Sequence, residues 1–207
     1  SEHHNEWKSI AKECNRALVE CARDHGKTIF WCFAYPLWRV KYTETPIDIC
    51  LVSYSQDQVI KLTSRIKTEV ENNDFLADMV TKENKDTWTK TEMRFSNGSS
   101  IEAKSFGSAF RGGHYDIILV DDPIKDRSDM SEEDTLNFFY AVLFPALMPG
   151  GQIIVDGTPV KFGDLLEHIE ENPEFKVFKF PAISKGVALW PRRYSIENLE
   201  ERKRIIG

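Results

Sequence analysis

The sequence predicts an α/β domain whose mainly parallel sheet is covered by helices on both faces. Three observations carry this reading. Short apolar runs alternate with helical stretches along the chain. The runs are apolar along their length instead of alternating with polar residues, as in strands buried on both faces. No Pro/Gly/Ser-rich linker divides the 207 residues, and there is no internal repeat or low-complexity tract.

Taken in order, Trp7–Asn15 reads as a short helix, with Trp7, Ile10, Ala11 and Cys14 at helical spacing. Ala17–Ala22 is an apolar strand, and Asp24, His25 and Gly26 form the loop after it. Thr28–Val40 is apolar and aromatic and predicts a buried helix in spite of Pro36 near its end. Trp31, Phe33 and Trp38 on that helix are read as core in preference to a base-stacking platform, and Trp7 as core in preference to an adenine contact. Ile47–Tyr54 is a strand rich in Ile and Val, and Ser55–Asn72 an amphipathic helix with Val59, Leu62, Ile66 and Val70 on one face. Thr91–Phe106 predicts a hairpin turning at Asn97-Gly98. Ile117–Val120 is a strand, Glu132–Leu147 a helix, Gln152–Asp156 a strand, Gly163–Glu171 a helix and Phe175–Phe180 a strand. Ser195–Ile206 begins a helix with Ser195 as its N-cap.

Composition excludes some classes. Hydrophobic residues make up 41% and charged residues 29%, ordinary for a globular protein. No run approaches the roughly 18 apolar residues of a membrane span. The polar stretch Ser1–Lys12 fits neither a signal nor a transit peptide, and His3 and His4 are read as a solvated end in preference to a metal site. Cys14, Cys21, Cys32 and Cys50 form no C-x-x-C pair and have no histidine at zinc-finger spacing, which predicts reduced thiols in a cytosolic compartment. The net charge of -6 and pI near 5.5 argue against a static DNA coat. Nucleic-acid contact is then confined to a local patch or a transient grip, while nucleotide binding is unaffected.

The strongest chemical signal is Cys21-Ala22-Arg23-Asp24-His25-Gly26-Lys27-Thr28, between a predicted strand and a predicted helix. That is the context of a phosphate-binding P-loop. Backbone N–H groups of Arg23, Asp24, His25 and Gly26 wrap phosphates, the Lys27 ammonium reaches their oxygens, and the Thr28 hydroxyl ligates Mg²⁺. Cys21 stands where the usual pattern has its first glycine. Gly-Lys-Thr alone recurs by chance at helix starts, so the reading leans on context. Arg23 reads either as a surface charge or as a cation on the terminal phosphate.

That context is completed by Ile117-Ile118-Leu119-Val120-Asp121-Asp122, an apolar strand ending in two carboxylates. Asp121 suits a metal ion, directly or through water, and Asp122 suits orientation and deprotonation of an attacking water. The competing reading is that Asp-Asp-Pro is a plain turn. Arg111, flanked by glycines just upstream, reads as an arginine finger or as a loop cation. Thr158, in Asp156-Gly157-Thr158-Pro159, reads as a γ-phosphate sensor or as part of an ordinary turn.

The ordered set resembles the ATPase domain of tailed-phage large terminases. Carrying the resemblance are Ala22–Thr28, Phe95-Ser96-Asn97-Gly98-Ser99, Phe110-Arg111-Gly112, Ile117–Pro123, Asp156–Pro159 and Ala188-Leu189-Trp190-Pro191. It covers roughly Ala17–Ile206. It implies a P-loop NTPase of the ASCE, RecA-like kind, with an extra strand between the P-loop and acidic strands, a place Ile47–Tyr54 fits. It further implies that Lys27 and Thr28 bind ATP with Mg²⁺, that Asp121 serves the metal and that Asp122 holds the catalytic-base position. Arg23 is then the P-loop arginine, Arg111 acts on a neighbouring subunit's ATP, and Thr158 couples hydrolysis to movement of DNA. Such proteins drive double-stranded DNA into a capsid as a homo-oligomeric ring on the viral portal, with a small terminase subunit, in the host cytoplasm and with no membrane partner. Asp122 departs from the family's usual glutamate and Cys21 from its first glycine.

On this reading residues 1–190 form the ATPase domain and 191–207 begin a linker or lid leading to a nuclease domain outside this sequence, so no nuclease activity is expected of the chain. Lys161, Lys176, Lys179, Arg192 and Arg193 are read as solvated surface in preference to DNA contacts. The rival readings are a P-loop helicase, which would need a second RecA-like domain, and a non-catalytic nucleotide-binding assembly module.

Overall fold

The computed structural model describes residues 1–80, 87–110, 112–124, 130–158 and 163–206. The chain opens with helix α1 (Glu2–Glu13), then strand β1 (Arg16–Cys21). α2 (Lys27–Ile29) runs through a π-helical turn, Phe30–Ala34, into α3 (Tyr35–Tyr42). β2 (Asp48–Ser53) leads to α4 (Gln56–Asn72), whose start is capped by the Ser55 hydroxyl accepting from the Gln58 N–H. β3 (Glu92–Arg94) and β4 (Ser100–Ser105) form the expected antiparallel hairpin, with Gly98 at φ +86° in its turn. β5 (Tyr115–Asp121), α5 (Glu132–Asn137), β6 (Leu147–Gly157), α6 (Leu165–Glu171) and β7 (Lys176–Phe180) follow. A two-stranded hairpin, β8 (Ile183–Ser184) with β9 (Val187–Ala188), precedes α7 (Ile196–Ile206).

The seven main strands pair in the order β3-β4-β2-β5-β6-β1-β7, all parallel except β3–β4. Successive residues of each buried strand feed opposite cores. Ala17 and Val19, Ile49 and Leu51, and Ile117 and Leu119 face the core under α1, α3 and α4. Leu18, Cys50 and Val52, and Ile118 and Val120 face the core under α5 and α6. That two-sided burial is why these strands read as unbroken apolar runs.

The strand between β1 and β5 is β6, not Ile47–Tyr54 as expected; β2 lies on the far side of β5. Hydrophobicity marks a strand as buried on both faces but carries no label for its neighbours. The expected helix at 132–147 is also composite: α5 passes into a π turn at Phe138–Leu143 and a short 3₁₀ turn at Phe144–Ala146. Both π turns stand just ahead of a proline, Pro36 and Pro145. A widened turn relieves the clash of the proline ring with the carbonyl four residues back, so the helix passes through instead of ending. Trp31 is fully buried as expected, Phe33 packs at the margin of the core, and Trp38 is 44% exposed beside the Tyr35 ring, against expectation.

The N-terminal helix departs most from the sequence reading. It begins at Glu2, and His3, read as a solvated end, is buried. Trp7 is fully buried against Phe30, Trp31 and Phe180. The far end of the helix is tied down by buried Gln152, whose Nε2 donates to the carbonyls of Ala11 (3.0 Å) and Cys14 (2.7 Å) while its Oε1 accepts from the Tyr35 hydroxyl. The two nitrogens of His3 lie 3.2 Å from the carbonyl oxygens of His25 and Leu189, and a neutral imidazole can donate to only one of them. Burial lowers the His3 pKa. Burial, with His3 alongside, lowers that of His4 to about 4.

Two outcomes follow. Ile118→Ala, at a fully buried central-strand position, should lower the unfolding free energy by about 2–5 kcal/mol in urea titration; a loss under about 1 kcal/mol would mean that β5 is not central. His4 has its folded pKa below its unfolded one, so its contribution is complete above about pH 6.5 and is lost as pH falls towards 4. The melting temperature should therefore drop less between pH 7.5 and 5.0 in His4→Phe than in the unsubstituted protein. Equal drops would show that His4 plays no part in acid sensitivity.

Candidate functional site

Open α/β sheets bind ligands outside the carboxyl ends of their strands. At that edge a cavity of about 510 Å³ is lined by Lys27, Thr28, Asp122 and Thr158, with Arg23 and Gly26 from the loop after β1. A second cavity, of about 560 Å³, sits at the opposite edge near Arg16, Leu147 and Lys176 and holds none of the predicted groups.

The loop's shape follows from two backbone positions. Asp24 has φ +65° and Gly26 has φ +91°, left-handed positions of the kind used in anion-binding nests of backbone N–H groups. Glycine is required at 26 for a second reason: a Cβ there would lie 3.1 Å from His4 Nε2 and 3.8 Å from the Trp190 ring. Cys21, in place of the first glycine, ends β1 buried, and its carbonyl accepts a hydrogen bond from the Thr158 hydroxyl (3.2 Å).

Ladder pairing sets the acids beside this loop. Val19 pairs with Asp156 between β1 and β6, and Asp156 pairs with Asp121 between β6 and β5. The Thr28 hydroxyl donates to Asp121 Oδ1 at 2.7 Å. The Lys27 ammonium donates to Thr158 Oγ1 (2.7 Å) and Asp122 Oδ1 (3.3 Å). Asp122 Oδ1 also accepts from the Thr158 N–H at 3.1 Å. Asp122 sits at φ +41°, a left-handed turn that aspartate tolerates better than most residues, and this turn brings its short side chain back towards Lys27.

The acids differ in burial. The Asp122 side chain is 44% exposed. Asp121 is buried, and desolvation pushes its pKa up to about 6 against the pull of the Thr28 hydrogen bond. Asp156 is fully enclosed, and desolvation, then the charge of Asp121, raises its carboxyl well above the usual range. Burial and the neighbouring Asp121 charge thus favour the protonated form of Asp156, whose Oδ1 is buried with no hydrogen-bond partner among the described residues.

The donor set fits Mg²⁺ at the face where Thr28 and Asp121 meet. Magnesium takes one or two hard oxygen ligands from protein and the rest from phosphate and water, and Thr28 Oγ1 and Asp121 Oδ1 are two such oxygens 2.7 Å apart. Cys32, Asp121 and Asp156 also cluster, with ligand atoms within 4.8 Å. Cys32 is unsuited to this ion: sulfur is a soft ligand, and burial drives its pKa well up, so it stays a thiol.

The remaining predicted residues divide. Arg23 and Asp24 line the cavity. The His25 side chain turns away from it, with Nδ1 2.7 Å from the Arg23 carbonyl and its ring 5.2 Å from that of Tyr194, so His25 can serve phosphate only through its backbone. Arg111, Pro159 and Lys161 lie outside the described residues. Lys176 is on β7, at the far edge. Four contributors were not placed at a site by the sequence: Tyr54 and Arg65 from the β2–α4 region, and Arg193 and His4, both read as solvated. The Trp190-Pro191 pair was a faint signal for the Arg193 segment; nothing in the sequence marks Arg65.

Because burial favours the protonated form of Asp156, Asp156→Asn should keep the unfolding free energy within about 1 kcal/mol at pH 7.5, the amide standing in for a protonated acid. A loss of about 3 kcal/mol or more in urea titration would mean instead that an ionised pair had been broken.

No protein-family model matches the chain, and neither does any curated protein. Solved structures do. The HK97 bacteriophage large terminase superposes with a TM-score of 0.66 at 16% identity over 96% of this chain and 43% of its own. The Thermus phage P74-26 large terminase ATPase domain gives 0.62 at 15% identity over 96% of this chain and 86% of its own. The large terminase of a thermophilic bacteriophage in complex with ATP-gamma-S gives 0.54 at 14% identity over 93% and 48%. The chain therefore spans less than half the length of the first and third. Identities this low speak for the fold alone: the chain has the RecA-like P-loop fold of phage large-terminase ATPase domains.

Proposed function

We propose that this chain hydrolyses ATP with Mg²⁺ and that hydrolysis drives double-stranded DNA into a viral capsid. The observation that carries the ATPase reading is the meeting of Lys27, Thr28, Asp121, Asp122 and Thr158 beside a loop with left-handed Asp24 and Gly26. The fold supports the packaging reading, since its solved counterparts are phage large terminases, one of them in complex with ATP-gamma-S.

Each residue has a role that its position supports. The nest at Asp24–Gly26 and the Lys27 ammonium receive the phosphate chain of the substrate. Thr28 and Asp121 would hold Mg²⁺, which when bound neutralises charge on the β- and γ-phosphates. Asp122, the exposed acid at the pocket mouth, orients a water and takes its proton. Thr158 touches the Cys21 carbonyl, Lys27 and Asp122 together, so a change at any of them shifts the end of β6. Arg23 lies at the cavity to stabilise transferring charge. Arg111 is assigned to a neighbouring subunit's ATP, within a homo-oligomeric ring on the viral portal in the host cytoplasm, served by a small terminase subunit.

Phosphate release from ATP with Mg²⁺ should fall to background in Lys27→Ala. In Asp122→Asn it should fall by about 10²–10⁴-fold while nucleotide is still bound. Unchanged turnover in Lys27→Ala would remove the phosphate-loop assignment. ATP binding without turnover under any assembly condition would leave a nucleotide-binding module.

A further inference from the structure

Beyond β7 the chain crosses back over the phosphate loop. Trp190 packs its ring 4.9 Å from that of His4 and 5.6 Å from that of His3. Tyr194 lies 5.2 Å from His25, and Arg202 Nη1 is 3.7 Å from Asp24 Oδ2. These contacts fix the segment to Asp24 and His25, the two residues before Gly26, and to the helix that covers the loop.

Between those anchors stands Arg193. Its guanidinium lies 5.1 Å from the Trp190 ring centre and 5.5 Å from that of Tyr194, and its Nε donates to the Tyr194 hydroxyl at 3.2 Å. It lines the same cavity as Lys27, Thr28 and Asp122. Among the described residues no carboxylate comes within ion-pair distance of it. Four cationic side chains, Arg23, Lys27, Arg65 and Arg193, thus line the cavity against Asp24 and Asp122, and Asp24 already faces Arg202. A pocket with that excess of positive charge suits a polyanion. An arginine stacked on aromatic rings keeps guanidinium N–H edges free to fork onto phosphate oxygens, and its rotamer is largely fixed before the ligand arrives.

We propose that Arg193 contacts the polyphosphate of a nucleoside triphosphate seated on the phosphate loop, making the segment from Trp190 to Arg202 part of the nucleotide site. This deepens the ATPase reading and rests on it. Arg193 was read from sequence as solvated surface because it lies far along the chain from the loop, with nothing local to mark it.

The test is calorimetric titration with ATP-γ-S in Mg²⁺. Arg193→Ala should raise Kd about tenfold or more, the loss expected for a hydrogen bond to a charged group. Arg193→Lys should recover part of the affinity, and Arg192→Ala, next door but outside the cavity lining, should bind like the unsubstituted chain. Melting temperatures without nucleotide separate contact from packing: Arg193→Gln should melt like the unsubstituted protein yet show a smaller rise with ATP-γ-S. If the unsubstituted protein binds and Arg193→Ala and Arg193→Gln bind equally well, the Arg193 contact is wrong and the ATPase reading stands. If the unsubstituted protein binds no nucleotide, both fall.

Discussion

Lys27 brings a cationic side chain into a place where it is only 6% exposed. Withdrawing an ammonium from water costs several kcal/mol unless oxygens replace the lost hydration. Here the replacements are the Thr158 hydroxyl and one oxygen of Asp122. Those oxygens come from two further strand ends, so satisfying one side chain requires β1, β6 and β5 to be adjacent and in register. The ladder supplies both conditions, through Val19 with Asp156 and Asp156 with Asp121. The sheet order is therefore a requirement of the pocket as well as of the core. A phosphate oxygen, like the oxygens Lys27 already holds, accepts from an ammonium, which has three N–H donors to give.

The three acids behind Lys27 form a gradient. Asp122 is half in water, Asp121 is buried with one hydroxyl partner, and Asp156 is sealed off. Charge becomes harder to sustain in that order, and the pKa values of Asp121 and Asp156 rise accordingly. Burial that favours the protonated form at the back lets one side of the pocket present oxygens without stacking three negative charges. Depth at the strand end thus separates roles for side chains of identical chemistry.

Much of this was legible in the sequence. Every main strand, the Asn97-Gly98 turn, the amphipathic face of α4 and the Ser195 cap are local features carried by periodicity and turn chemistry. Lys27, Thr28, Asp121, Asp122 and Thr158 were legible because each sits at a strand end that the pattern locates. What escaped was long-range. The position of β6 between β1 and β5 depends on pairing partners, which a string of apolar residues does not specify. His3 and His4 sit among polar residues in the sequence, and their cover comes from Trp7 and, nearly the whole chain away, from Trp190. Arg65 lies on the polar side of an amphipathic helix, where charge is the default, and its place at the cavity follows from the packing of α4 on the sheet.

Thr158 shows why a hydroxyl belongs at the end of β6. Its Oγ donates to the Cys21 carbonyl and accepts from Lys27, while its N–H donates to Asp122. A valine, similar in shape, would keep the backbone bond and lose both side-chain bonds, leaving the Lys27 ammonium one partner short. A serine would keep the bonds but lose the branched stem that restricts χ1. One residue thus fixes the distance between the phosphate-loop strand and the exposed acid by hydrogen bonds to both.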